Sequence, residues 1–265
     1  MRRAIDAVGA GDADCAVSAG NTGALMAIAK FVLKTVPGVD RPAIASLFPT
    51  MKGESALLDL GANIQVDARN LEEFALMGAV FYRLLLGVER PTVGLLNVGS
   101  EEQKGHEELR EAHAILSSGH DTIDYLGFVE GDGLPKGLAD VVVTDGFTGN
   151  VALKTAEGTS RLISEFIRQA FKSSLMAKVG LVFAARSLAK LRARLDPRRY
   201  NGAMFLGLNG VVVKSHGGAD ALGFAHALSA AVDLARRDVV ARIRDELAEV
   251  ERARADAAET TAVAG

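Results

Sequence analysis

Short apolar runs that end in glycine- and asparagine-rich turns most constrain how this 265-residue chain can fold. Seven short apolar runs predict β-strands, five of which end in polar turns, and segments with apolar residues at helical spacing lie between several of them. Repetition of strand, helix and strand predicts a mostly parallel α/β sheet flanked by helices, with right-handed crossovers. The predicted strands cover residues 14–18, 43–48, 56–60, 93–98, 123–129, 140–144 and 211–214. The predicted helices cover residues 22–35, 71–86, 107–116 and 151–171, with one or two more over residues 220–257.

The composition fits a layered core of small and aliphatic side chains. Aromatic residues make up only 5% of the chain and tryptophan is absent, so packing must rely on Ala, Val, Leu and Ile. We expect one α/β domain over residues 1–257, with a helical hairpin inserted at about residues 161–200. Residues 258–265 are expected to form a disordered tail.

The cysteine content and the apolar segments indicate a cytoplasmic protein. Cys15 is the single cysteine, so an intramolecular disulfide is excluded and a reducing compartment is favoured. Its position within a predicted strand is typical of a small buried residue rather than a catalytic thiol. The basic start of the chain is not followed by an apolar run, and no apolar stretch is long enough to span a bilayer.

Five predicted strands end in loops rich in Gly, Asn, Asp and Ser. In open α/β sheets, ligands bind outside the carboxyl ends of the strands, so we expect these five loops to meet in one pocket. The loop over residues 18–23 also opens a helix, whose free N–H groups and positive dipole end favour an anion. The residues assigned to substrate binding are Ser18, Gly20, Asn21, Thr22, Gly23, Asn63, Asn97, Lys104, Gly146, Gly149, Lys214 and Gly217, and those assigned to catalysis are Lys154, His216, Asn150 and Asp145.

The candidate polar residues suit a reaction on phosphate. Lysine side chains such as Lys154 and Lys214 could hold its charge, asparagine amides could donate to a developing oxyanion, and His216 could orient phosphate or supply a proton. The chain has no Walker lysine motif, no dinucleotide fingerprint, no nucleophile-elbow serine and no metal-binding HExxH or CxxC pattern. We therefore expect no cofactor and no metal, and direct attack of phosphate on an activated carbonyl.

Four blocks of sequence carry a family resemblance. They are Ser-Ala-Gly-Asn-Thr-Gly-Ala-Leu-Met at residues 18–26, Leu-Leu-Asp-Leu-Gly-Ala-Asn at residues 57–63, Val-Gly-Leu-Leu-Asn-Val-Gly at residues 93–99, and the run from Asp140 to Thr155. Together they closely resemble the phosphate acyltransferase family PlsX. The resemblance implies transfer of an acyl group from acyl-[acyl-carrier-protein] to inorganic phosphate, giving acyl phosphate for phospholipid synthesis.

The resemblance carries further expectations. It implies the fold of phosphate acetyltransferase and of the isocitrate/isopropylmalate dehydrogenases, a homodimer, and peripheral association with the inner face of the plasma membrane. The family begins with an earlier strand and loop that border its active site, and we expect this segment to be missing from the chain.

A basic segment is the second informative feature of the sequence. Residues 166–199 contain nine Lys or Arg and one acid, Asp196, although the whole chain carries a net charge of −3. Apolar residues interleave with these cations, a pattern suited to anionic lipid or to an acidic carrier protein. A dimer-forming helix pair with solvated cations is the alternative. The predicted contact residues are Lys172, Lys178, Leu181, Val182, Phe183, Arg186 and Lys190.

Other functions stay open from the sequence. A short-chain phosphate acyltransferase using acyl-CoA would not need the basic hairpin, and an inactive truncated scaffold would keep only dimer and membrane surfaces. A dehydrogenase of the related fold is least favoured, since neither a nicotinamide fingerprint nor an Asp cluster for Mg²⁺ is present. The net charge of −3 argues against nucleic acid as a partner.

Overall fold

A computed structural model describes residues 1–172, 174–194, 198 and 201–264. Within these ranges, the structure describes only the backbone of Leu175, Lys178, residues 190–194, Arg254 and residues 256–264. The strands are β1 (Cys15–Ser18), β2 (Ala43–Pro49), β3 (Glu54–Leu58), β4 (Thr92–Asn97), β5 (Asp124–Glu130), β6 (Val141–Val143), β7 (Ala203–Leu206) and β8 (Val211–Lys214). The helices are α1 (Arg2–Ala10), α2 (Thr22–Leu33), α3 (Ala68–Leu86), α4 (Glu107–Ser117), α5 (Gly133–Lys136), α6 (Gly146–Lys172), α7 (Leu175–Arg194), α8 (Ala221–Arg236) and α9 (Val239–Ala264).

The described strands form one mixed sheet in the order β1-β8-β7-β2-β3-β6-β4-β5. This confirms the expected mostly parallel sheet flanked by helices. The seven predicted strands are present with small shifts at their ends, and β7 is the strand that the sequence analysis missed. Its sequence between Gly202 and Gly207 is Ala-Met-Phe-Leu, which has no β-branched residue and mostly favours helices.

The sheet has two halves, β1-β8-β7-β2 and β3-β6-β4-β5, and all strands of the second half run opposite to β1, β8 and β2. Strands β1 and β8 are parallel to each other, whereas β7 is antiparallel to β8 and to β2. Strand β2 is also antiparallel to β3, and β3, β6, β4 and β5 are parallel. The carboxyl ends of β1 and β8 therefore lie at one edge of the sheet, here called the first edge. Those of β3, β6 and β4 lie at the opposite or second edge.

Each face of the sheet packs against its own group of helices. On one face, the buried side chains of α3, α4, α8 and α9 form a core around Phe74 and Met77. On the other face, α1, α2 and the start of α6 cover Phe205, Val212 and Val142. Neighbouring residues of β6 belong to opposite cores because side chains alternate along a strand.

Helix α6 begins against a buried carboxylate at the second edge. Asp59 is fully buried, and its carboxylate accepts hydrogen bonds from the N–H groups of Ile44, Gly61, Ala62 and Asn63 at 2.7–3.2 Å. Burial raises the pKa of Asp59, and hydrogen bonds from these backbone groups oppose that rise. A buried charge is tolerated when it is hydrogen-bonded in this way.

Two glycines let α6 approach this loop. The N–H of Gly146 donates to the carbonyl of Asn63 at 2.7 Å. A Cβ added at Gly149 would lie 1.9 Å from the Asp59 carbonyl oxygen, so only glycine fits there without a shift of the backbone. The first turn of α6 is thereby fixed on the end of β3, and Ala152 and Leu153 in the following turn pack on the face of the sheet.

We predict that Gly149→Ala lowers the free energy of unfolding by roughly 1–3 kcal/mol, because the added methyl group overlaps the Asp59 backbone. Gly158→Ala is the matched control, since Gly158 lies in the same helix and an added Cβ meets nothing within 4 Å. That change should stabilise the protein by up to about 1 kcal/mol, because alanine has the higher helix propensity. Urea denaturation of both variants measures the difference, and equal stability of Gly149→Ala and wild type would contradict the packing.

Candidate active site

The five polar loops do not meet in one pocket, so that expectation is wrong. The loops after β1 and β8 lie at the first edge, and the loops after β3, β4 and β6 lie at the second edge. Strands β1 and β4 are also six positions apart in the sheet, a separation of about 29 Å. The error follows from the antiparallel pairing of β2 with β3, because every strand from β3 to β5 across the sheet runs opposite to β1 and β8. The candidate residues therefore fall into two groups.

The first group forms around the paired ends of β1 and β8. Ser18 is the register partner of Lys214, and the N–H of Ser215 donates to the Ser18 carbonyl at 2.9 Å. Both side chains lie on the face of the sheet that carries Ala16 and Val212, because residues two apart share a face. Ser18 and Lys214 thus leave the sheet on the same face at the first edge, and the Lys214 ammonium donates to the carbonyl of Ser215.

The N-terminus of α2 opens beside this pair. Asn21 caps the helix, its side-chain oxygen accepting from the N–H of Ala24 at 3.0 Å. The N–H groups of Thr22 and Gly23 in the first turn point beyond the helix end, where they favour an anion. Gly20 donates its N–H to the Ser18 hydroxyl at 3.1 Å.

Gly217 brings the two loops of the first edge close together. A Cβ added there would lie 3.6 Å from the carbonyl oxygen of Ala19, in ordinary contact. The segment over residues 214–218, here called the His216 loop, therefore packs against the segment over residues 18–23. Both loops contribute backbone groups to the same small region.

Helix α6 brings a second lysine to the first edge. Its side chains Ala152 and Leu153 pack on the same core as Ala16 and Val212, and Lys154 follows directly. Burial and the charge of Lys154 lower the pKa of Lys214, which places the two ammonium groups within electrostatic reach. Two nearby like charges repel each other, and an anion bound between them would remove that repulsion. Lys154 also forms an ion pair with Glu157 at 3.0 Å.

The His216 side chain is held as a hydrogen-bond donor. Its Nδ1 accepts from the N–H of Gly218 at 3.0 Å. In a neutral imidazole only one nitrogen can accept, so the proton lies on Nε2. The exposed Nε2–H can donate to an anion at the first edge.

Asn201 supports this loop and was not found from the sequence. Its side-chain oxygen accepts from the N–H of His216 at 2.7 Å. It follows the predicted hairpin in a stretch without periodicity, and no motif marked it.

At the second edge, three asparagine side chains bond within the protein. Asn63 donates both amide hydrogens, one to the carbonyl of Pro42 and one to the Asp59 carboxylate, each at 2.9 Å. Asn97 donates to the carbonyl of Lys104 at 3.0 Å, and Asn150 donates to that of Leu60 at 3.0 Å. Asn63 has no amide hydrogen left for a substrate, so its predicted role as an oxyanion donor does not fit this geometry.

The remaining second-edge residues shape the start of α6 and the loop after β4. The carboxylate of Asp145 accepts from the N–H of Thr148 at 2.8 Å, as at the start of a helix. Gly146 and Gly149 are buried against the Asp59 loop. Lys104 is exposed in the loop after β4, where its N–H donates to the carbonyl of Glu101. These residues lie beside the end of β3 rather than beside Ser18.

The predicted membrane or carrier contact lies on the hairpin formed by α6 and α7. Exposed apolar side chains recur along α7, and Val182 and Phe183 are 73% and 85% exposed. Leu181, Lys172 and Arg186 are exposed as well. The side chains of Lys178 and Lys190 lie outside the described residues.

Two further properties concern only the described part of the chain. None of its helices is both long enough and apolar enough to cross a membrane. It also contains no group of three or more His, Cys, Asp or Glu side chains that could hold a metal ion. Burial raises the pKa of the Cys15 thiol, an effect that the neighbouring Asp14 reinforces, so this thiol is a poor nucleophile.

Comparison with known proteins shows the family. A family model described as "Fatty acid synthesis protein" matches residues 1–242. The chain belongs to this family. Phosphate acyltransferase from Rhodospirillum centenum is 63% identical over 253 residues, which are 96% of this chain and 71% of that protein. Phosphate acyltransferase from Rhodospirillum rubrum is 59% identical over 247 residues, or 93% of this chain and 71% of that protein.

These relatives confirm the resemblance to phosphate acyltransferases drawn from the four sequence blocks. The chain spans about 71% of the length of these relatives.

Solved structures show the same fold at low sequence identity. EutD phosphotransacetylase from Staphylococcus aureus has a TM-score of 0.57 and 19% identity, covering 89% of this chain and 67% of its own. A phosphotransacetylase from Streptococcus pyogenes has a TM-score of 0.58 and 18% identity, covering 88% and 67%. These matches confirm the expected phosphate acetyltransferase-like α/β fold.

Proposed function

We propose that this protein transfers a long-chain acyl group from acyl-[acyl-carrier-protein] to inorganic phosphate, giving acyl phosphate for phospholipid synthesis. Its family and the names of its relatives support acyl transfer to phosphate. The observation that carries the proposal is the first edge, where Lys214 is paired with Ser18 beside the N-terminus of α2 and within reach of Lys154. Lys214 and the helix N-terminus attract an oxyanion there, and they need no bound cofactor to do so.

Phosphate binds at the first edge, between the N-terminus of α2 and Lys214. The first-turn N–H groups of Thr22 and Gly23 donate to its oxygens, and the hydroxyl of Ser18 lies beside them. Lys214 neutralises part of the phosphate charge, and Lys154 joins it by leaving Glu157. Because bound phosphate stabilises the charged form of Lys214, binding reverses the lowering of its pKa.

The reaction itself needs no covalent protein intermediate. A phosphate oxygen attacks the thioester carbonyl carbon, and the C–O bond forms as the carbonyl oxygen becomes negative. The Nε2–H of His216 donates to the phosphate or to this oxyanion. The tetrahedral intermediate then collapses, the C–S bond breaks, and the thiol leaves as a thiolate, a stable leaving group because its pKa is about 8.5.

The second edge positions this machinery rather than contacting the phosphate. The Asp59 loop, with Asn63 and Asn150, fixes the start of α6, and α6 delivers Lys154 to the first edge. Asn97 and Lys104 order the loop after β4 at a distance from Ser18. We assign these residues a supporting role.

The basic hairpin favours a carrier-bound, long-chain donor over a soluble acyl-CoA. Acyl carrier proteins are acidic, and a segment with nine cations over residues 166–199 attracts them. Exposed Val182 and Phe183 suit the surface of an anionic membrane, where long acyl chains are used. We therefore propose that the protein acts in the cytoplasm at the inner face of the plasma membrane.

A homodimer completes the proposal. Apolar side chains are exposed along the outer part of α6, including Leu162, Ile163 and Phe166, each 49–59% exposed. A second copy of the hairpin packed against them would remove this surface from water. Sedimentation that shows a monomer at all concentrations would remove the dimer from the proposal.

Transfer to phosphate is tested with palmitoyl-[acyl-carrier-protein] and inorganic phosphate, following acyl phosphate. We expect turnover that requires phosphate and is much slower with acetyl-CoA. Lys214→Met should raise the KM for phosphate roughly 10–100-fold, because a hydrogen bond to a charged group contributes about 1.5–3 kcal/mol.

Lys136→Met is the matched control, since Lys136 is an exposed lysine in α5 bonded to Asp132. It should leave the KM for phosphate unchanged. Thioester consumption that is independent of phosphate would refute acyl transfer, and faster turnover of acetyl-CoA would favour the short-chain alternative.

Membrane contact is tested with vesicles of anionic and of neutral lipid. We expect binding to the anionic vesicles that weakens as salt rises, because each cation near the surface contributes about 1 kcal/mol. Replacing both Val182 and Phe183 by Ser should weaken this binding at least about tenfold, since apolar burial is lost. Phe31→Ser, at a phenylalanine of α2 that is 65% exposed, should leave binding unchanged. Equal binding to both vesicle types would rule out an electrostatic contact.

A further inference from the structure

Asn201 lies just before β7, and both the nitrogen and the oxygen of its side-chain amide form hydrogen bonds at the first edge. Asn201 donates from Nδ2 to the hydroxyl of Ser215 at 2.9 Å and to the carbonyl of Gly223 at 2.7 Å. Its Oδ1 accepts from the N–H of His216 at 2.7 Å. One side chain thus joins the His216 loop to the first turn of α8.

The partners fix the orientation of this amide. The Gly223 carbonyl can only accept and the His216 N–H can only donate, so Nδ2 must face the first and Oδ1 the second. Exchanging the two atoms would set oxygen against oxygen and N–H against N–H. Asparagine therefore supplies a donor and an acceptor that neither Asp nor Leu could supply together.

The contacts of Asn201 lie next to the groups that the proposed function assigns to phosphate. Ser215 is fully buried, and its N–H bonds the Ser18 carbonyl. The backbone N–H of His216 donates to Asn201, and the ring Nδ1 of His216 accepts from the N–H of Gly218. Without Asn201, the His216 loop would keep its bond to β1 but lose its bond to α8.

We infer that Asn201 is a positioning residue for the phosphate site, holding the His216 loop so that the Nε2–H of His216 and the Lys214 ammonium face the same anion. The inference rests on the proposed function. Asn201 does not touch phosphate itself and acts through His216. Its removal should therefore weaken phosphate binding more than acyl-donor binding.

The test compares phosphate kinetics and phosphate binding among variants. Asn201→Ala should raise the KM for phosphate and its calorimetric dissociation constant roughly tenfold, a size expected from loss of a few hydrogen bonds. The KM for the acyl donor should change less than about twofold. Ser215→Ala removes a single bond of the network and should have a smaller effect, and it serves if Asn201→Ala does not fold. Asn209→Ala is the matched control, because Asn209 also bonds a backbone carbonyl, that of Thr35 at 2.7 Å, and should change neither constant.

A double-mutant cycle with His216→Ala separates positioning from general stability. In the His216→Ala background, Asn201→Ala should add less than about a threefold effect, because the group it positions is gone. The inference would be overturned if Asn201→Ala had the same effect with and without His216. Equal rises in the KM values of phosphate and the acyl donor would also overturn it. A wild-type protein that binds phosphate without turnover would refute the proposed function, while the binding constants would still decide the role of Asn201. If the wild-type protein does not bind phosphate, both the proposed function and the positioning role of Asn201 are wrong.

Discussion

The buried carboxylate of Asp59 holds the point where the two halves of the sheet meet. It accepts from the N–H of Ile44 in β2 and from three successive N–H groups of its own loop, so it joins β2 to the end of β3. Removing a carboxylate from water is costly, and these hydrogen bonds offset the cost only in this one arrangement of the loop. The same loop receives Gly146 and Gly149, and it therefore determines where α6 starts.

The position of α6 connects the two edges of the molecule. Because β1 and β8 run opposite to β3, β6 and β4, the loops that follow these two groups of strands lie at opposite edges of the sheet. The start of α6 packs on the face of the sheet between the edges, and the charge of Lys154 acts on Lys214. In the proposed function, phosphate binds at the first edge, and the second edge supports the start of α6, because an accurately placed cation needs a rigid support.

The apolar patterns predicted seven of the eight strands of the described sheet, but not the directions in which they run. Patterns of apolar residues locate seven strands because burial requires them, whereas β7 contains mostly residues that favour helices. The direction of β3 was not inferred from its short connection to β2, which allows only an antiparallel pair. The first-edge candidates Ser18, Lys214 and His216 were predicted from loop chemistry and do lie together. For Asn63 the sequence could not show that Pro42 and Asp59 take both amide hydrogens, and Asn201 has no motif at all.

The pKa of Lys214 tests most directly whether an anion binds between this residue and Lys154. It can be followed by ¹³C NMR of reductively methylated lysines, with resonances assigned by substitution. Phosphate should raise the pKa of Lys214, because the anion stabilises its charged form, and Lys154→Met should raise it in the absence of phosphate. A Lys214 pKa that responds neither to phosphate nor to loss of Lys154 would contradict the account.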